Sequence, residues 1–171
     1  MKIIEAMKKL KDLNVKAEDL RNKVAQNCAD LSIETALYGA DQKATVDGWI
    51  QAHSDILQEI LKLRVAIQRT NIATQVAIEI EGRQITKTIA EWIHRRRDLA
   101  KLDMDMWSKL GDRNLKEQNL QTAPGGPVTE VRVRRYYDPK ERDARVALYR
   151  SEPSIIDATL EVVNATTELA A

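Results

Sequence analysis

The chain has 171 residues, enough to bury a core without disulfide or metal staples, and a formal net charge of only +1. Charged residues make up 31% and aromatic ones 4%, with no Phe, so Leu, Ile, Val, Ala and Met must fill the interior, a composition suited to helix–helix seams. The charge balance gives no global field toward nucleic acid or an anionic membrane, and Cys28 with only His53 and His94 is too small a set for a disulfide or a Cys/His metal site.

The opening MKIIEAMKKLKDL has Lys and Glu where a signal peptide would need an apolar core, and no apolar run approaches the roughly 18 residues of a membrane span. Cytoplasmic residence is the expectation. Ile3, Leu10, Ala17, Val24 and Leu31 recur every seven residues, and Ala6, Leu13, Leu20 and Asn27 hold the second seam position. This is a narrow stripe that needs a partner helix. Asn27 either fixes register in the seam or marks its frayed end. Residues 38–48 read as a break bracketed by Gly39 and Gly48. A second stripe then runs Val46, Trp49, His53, Ile56, Ile60, Leu63, Ile67, Thr70 and Thr74, and the two helices pair as an antiparallel hairpin over 1–75. His53 reads as a packed seam histidine. The three tryptophans, Trp49, Trp92 and Trp107, read as core or interface anchors.

Residues 76–86 alternate as a small β-hairpin turning at Glu81-Gly82. Thr86 or Thr88, the latter with Glu91 as a capping box, starts a third helix that runs to Leu110 before Gly111. A polar loop over 111–127, expected to be mobile, closes in Pro124-Gly125-Gly126-Pro127. VTEVRVRRYY (128–137) has strand composition, with Arg132, Arg134 and Tyr136 on one face. Asp138-Pro139 with Glu141 begins a short helix to Arg150, and Ser154 caps a last one. The fold class is mainly α: a long antiparallel helical hairpin or bundle with coiled-coil-like seams and a small β element, about 76–86 and 128–137. It forms one helical domain over 1–171, whose long amphipathic helices are expected to pack against other copies.

Several segments carry a family likeness: the opening IIEAMKKLKDLNVKAEDLRNKVAQN, the blocks IQRTNIATQ and GRQITKTIAEWIHRRRDL, and the ending IDATLEVVNATTEL. RTNIAT followed by GR-x-IT is the most specific. With these segments the chain resembles the septicolysin-like family of small proteins. The family's usual aromatic after the Asn of the final helix is here Ala165. The resemblance implies a helical fold and, through the family's haemolysin association, a membrane-active toxin as one alternative.

No Walker loop, dinucleotide fingerprint, zinc spacing or nucleophile–base pattern is present, so no catalytic residue, metal site or cofactor is assigned. The polar endings of two apolar stripes are more informative. Arg69, Thr70, Asn71 and Thr74 close the second helix, and Asn164, Thr166 and Thr167 close the last. Thr and Asn are mediocre helix formers. Their structural explanation is capping and backbone satisfaction. Their functional explanation is a polar pocket in which Thr86, hydroxyls and amides take an uncharged ring, while Arg69, Arg83, Arg95 and Arg96 fork onto phosphate or carboxylate. The run His94-Arg95-Arg96-Arg97 suggests nucleic acid, but consecutive arginines point in different directions on a helix and no aromatic residues interleave with them, so a solvated or salt-bridged face is the competing explanation. Arg132, Arg134 and Tyr136 form a further basic stripe that also suits edge-strand protection. The leading expectation is a non-enzymatic homo-oligomer that binds a small anionic, nucleotide-type ligand between protomers and sequesters it. A structural or adaptor protein of a larger, for example viral, assembly is the alternative. Nucleic acid and membranes are not expected partners.

Overall fold

In the computed structural model, which describes Met1–Ala170, the heptad stripe becomes α1, Ile3–Asn27. A 3-10 turn at Gly39–Asp41 leads into α2, Gln42–Ala73. Hairpin strands β1 (Gln75–Ile80) and β2 (Arg83–Thr88) follow, then α3 (Ile89–His94), a π-helical turn (Arg95–Leu99) and α4 (Ala100–Ser108). Strands β3 (Gln118–Gln121) and β4 (Val128–Val131) precede α5, Pro139–Thr166. The protein is mainly α with two small antiparallel hairpins.

The chain divides into two compact units. The first comprises residues 1–76, 88–90 and 160–171, and the second 77–87 and 91–159. In the first, Ala6 and Leu13 of α1 pack with Ile60 and Leu63 of α2, with Leu10, Ile56, Ile67 and Leu169 around them. These are seam positions, so the three-and-four spacing built the contact it implied. Thr70 is also buried. Its hydroxyl donates to the Ala66 carbonyl at 2.8 Å and accepts the Ala170 N–H at 2.9 Å. The Ile3 N–H donates to the Thr167 carbonyl, and the Leu169 N–H to that of Met1. Two orphan backbone donors, those of Ile3 at the start of α1 and Ala170 beyond α5, are thereby satisfied.

In the second unit Ile78, Ile80, Trp92, Ala100 and Ile156 are buried. The hairpin turn places Glu81 at φ 52° and Gly82 at φ 70°, the two positive values that a two-residue I′ turn needs.

Five expectations require correction. The α1 stripe stops at Asn27, whose side-chain amide donates to the Lys23 carbonyl at the helix end, and Leu31 beyond it is left 63% exposed. Asn27 therefore sits at the helix end, its carbonyl taking the Gln42 side-chain N–H at 2.8 Å. Gly48 does not break the chain: it lies inside α2, which the seam residues Val46 and Trp49 carry through it. Within the 111–127 loop, residues 118–121 form β3. The 128–137 strand ends at Val131 because β3 offers only four partners, the last pair being Gln118 with Val131. Finally, no break or Ser154 cap divides the last helix. Proline removes one intrahelical N–H, yet α5 runs straight through Pro153, and Glu152 and Ile156 on either side are buried.

Candidate functional site

One concavity lies wholly in the second unit, has a volume of about 300 Å³, and gathers β2, α3, the π turn and α5. Strand period two puts Arg83, Ile85 and Lys87 on one face of β2, and all three line it. Helical spacing does the same for Arg145, Leu148, Tyr149 and Glu152 of α5. Arg95 enters from the π turn, where the lengthened turn shifts the helical phase.

Arg95 is the fixed element of this site. Its Nε donates to Glu152 Oε1 at 2.6 Å and its Nη2 to Glu152 Oε2 at 2.8 Å, while Nη1 donates to Asp103. Glu152 is buried. Hydrogen bonding to Glu152 raises the Arg95 pKa, partly offset by desolvation, so the guanidinium stays charged. It also lies 5.3 Å from the Tyr149 ring centroid. The other cations are freer. Arg145 stands 3.6 Å from the Glu81 carboxylate and 5.9 Å from the Trp107 ring centroid, and Lys87 is 5.9 Å from that of Trp92. Arg83 has no carboxylate partner among the described residues. The lining thus holds four cations, Arg83, Lys87, Arg95 and Arg145, and two carboxylates, Glu81 and Glu152, with Asp103 reaching Arg95 from outside it. The lining contains no Ser, Thr, Cys or His.

A second concavity of about 220 Å³ also lies in this unit. Asp112 anchors it by accepting from Arg135 Nε at 2.7 Å and from the Tyr137 hydroxyl at 3.0 Å. Arg135, then Tyr137, hold the Asp112 carboxyl below its ordinary value of 3.8, against an opposing desolvation effect. Arg113, Arg134 and Tyr136 share this lining, and Tyr136 is 91% exposed.

The fourteen residues singled out from the sequence therefore separate. Arg83 and Arg95 meet in the first concavity, Arg134 and Tyr136 in the second. Thr70 and the Thr167 backbone close the first unit as described above, and Thr166 donates to the Val162 carbonyl at 3.0 Å. Thr74 donates its N–H to Thr70 and accepts that of Ile89. Asn71 Oδ1 is buried without a hydrogen-bond partner, and Asn164 is half-buried. Arg69 and Thr86 are exposed. Arg96 pairs with Asp157 at 2.5 Å and Arg132 with Glu130 at 2.8 Å. Lys87, Arg145 and Tyr149 were missed. The first was findable by extending the alternation from Arg83 through Ile85, the other two by the four-residue spacing on α5.

Among the described residues no group of three or more His, Cys, Asp or Glu is placed to hold a metal ion, and no helix is long and apolar enough to cross a membrane. No family model, curated protein or solved structure matches this chain.

Proposed function

We propose that this chain is a non-enzymatic, homo-oligomeric cytoplasmic protein that captures a small anionic ligand of the nucleotide type and thereby sequesters it. The observation that carries the reading is the 300 Å³ concavity lined by four cations, two of which, Arg83 and Lys87, have no carboxylate partner among the described residues. Its volume stands at the lower edge of small-molecule pockets. Arg95 is held by two carboxylates, Glu152 and Asp103, so it forms a fixed wall of the site and leaves the free positive charge to the other cations. Arg83 and Lys87 are available to bond phosphate or carboxylate directly. Capture without turnover follows from the chemistry of the walls. The lining offers no serine, threonine, cysteine or histidine, the hydroxyl of Tyr149 and the amine of Lys87 have no imidazole beside them to act as a base, and the buried carboxylate is committed to Arg95. The septicolysin-like resemblance belongs to this proposal as a family assignment, without the membrane-active role.

The test is a native mass spectrum of freshly purified protein, followed by nucleotide titration of the emptied protein. A retained mass of a few hundred daltons, displaced by a nucleotide and lost in Arg83→Ala/Lys87→Ala, is the expected result. Because each charged hydrogen bond contributes about 1.5–3 kcal/mol, each single substitution should weaken binding roughly tenfold or more. A folded protein that binds no member of a nucleotide panel overturns the reading.

A further inference from the structure

The α1–α2 seam uses only one face of α2. Ile50, Leu57, Leu61 and Ile72 remain 53, 47, 55 and 66% exposed. At about 100° per residue they fall, with half-buried Val65, in an arc of about 80°, apart from the face that buries Ile60 and Leu63. Ser54 and Gln68 share this arc, and Lys43 stands at its N-terminal end, so it is a second, mostly apolar stripe on a helix whose first stripe is already covered.

The charges beside it indicate what covers it. Asp47, at the edge of the stripe, and Asp55, on the flank beyond it, lie in the N-terminal half of α2, and Lys62 and Arg69 lie on that same side in the C-terminal half. Lys62 and Arg69 have no carboxylate partner among the described residues. Asp47 is paired only with Lys43 one turn away, an exposed contact that exchanges readily. A twofold axis that sets two copies of a helix antiparallel brings each flank against itself with the ends reversed. Acidic half then meets basic half on both sides. Asp47 and Arg69 are equidistant from Gln58 along the helix, so an axis at Gln58 pairs each with the other. The same axis places Leu57 and Leu61 near the centre and brings Ile50 to within one residue of the level of Val65. Parallel pairing would set like charges at the same level.

We infer that α2 docks antiparallel on α2 of a second copy of this chain, about Gln58. The inference rests on the homo-oligomeric part of the proposed function and gives it a surface. Its contacts are self-complementary, as a twofold interface requires.

Sedimentation equilibrium of the full chain measures it. Leu57→Glu/Leu61→Glu places charge at the centre and should weaken self-association by at least about 100-fold, with helicity kept because both sites are exposed and Glu is a good helix former. Asp47→Lys and Arg69→Glu should each weaken it roughly tenfold, and the double exchange should restore it. In a Cys28→Ala background, a short bis-maleimide should link Gln58→Cys between copies. It should not link Gln51→Cys, whose copies would be displaced by about 21 Å along the axis. Linkage of both positions would mean parallel pairing and overturns the inference. An oligomer indifferent to Leu57→Glu/Leu61→Glu overturns this surface but leaves the homo-oligomer standing. A chain that is monomeric at all concentrations overturns both.

Discussion

Arg95 and Glu152 are separated by 57 positions in sequence and joined by two hydrogen bonds in space. A pair this buried stabilises less than its charges suggest, because both ions lost hydration; removing one partner is what costs. Glu152→Gln should therefore destabilise the chain by about 3 kcal/mol in chemical denaturation. Arg95→Met/Glu152→Leu should recover most of that loss. Additive losses would refute the pairing. Asp112 makes a pH prediction of known sign. Its folded carboxyl lies below 3.8, so its contribution is fully present above that value and is lost as pH falls through the folded pKa. A carboxyl-carbon titration should show the Asp112 midpoint rising toward 3.8 in Arg135→Ala and rising less in Tyr137→Phe. An unmoved midpoint in Arg135→Ala would remove Arg135 as the cause. At this scale the sequence showed which residues were available and hid their partners. The run Arg95-Arg96-Arg97 could be read as an anion site or as a salt-bridged face. Glu152, Asp103 and Asp157, two of them far along the chain, decide the roles of the first two. Thr70 and Thr74 were noticed because they are poor helix formers, and Thr70 sits in the helix because a backbone N–H a hundred residues away needs its hydroxyl.

Elements whose pattern repeats were the legible ones. The α1–α2 seam follows from its heptads, and Leu13 is buried while Val15, two residues on, is 55% exposed. Leu13→Ala should cost about 2–5 kcal/mol by opening the seam, whereas Val15→Ala should stay within about 0.5 kcal/mol. Equal losses in thermal or urea denaturation would contradict the seam. The β1–β2 hairpin was legible for a related reason: alternation and the Glu81-Gly82 turn are local signals. The β3 strand was not. Gln118–Gln121 has neither alternation nor β-branched residues, and it exists through its pairing with Val128–Val131. The continuity of α5 was hidden by a local signal that is usually reliable. Pro153 forfeits one hydrogen bond, yet the helix continues through it, with apolar Ile156 fully buried one turn on. The candidate site fell between these cases. Arg83 and Arg95 were visible as cations, but that they meet depends on the hairpin, the π turn and α5 together.

For the whole molecule, the two proposals occupy different units. The cationic concavity is lined by residues of the second unit, and the outer stripe of α2 belongs to the first. The sequence-based expectation put the ligand between protomers, whereas every lining residue of this concavity comes from one chain. Two outcomes separate these arrangements. If one chain suffices, Leu57→Glu/Leu61→Glu should abolish self-association while leaving nucleotide affinity per protomer within about twofold of the parent. If a second copy completes the site, affinity should fall along with the oligomer, since a ligand that bridges copies is linked to their association. The melting temperature offers an independent reading of the same question. For a dimer that unfolds to two chains, each tenfold rise in protein concentration adds about 1.4 kcal/mol of stability per dimer. The parent protein should therefore melt higher at higher concentration, and the Leu57→Glu/Leu61→Glu variant should not. Adding saturating nucleotide should raise both curves by the same amount if the concavity belongs to one chain. A rise confined to the parent would instead place the site across the α2 interface.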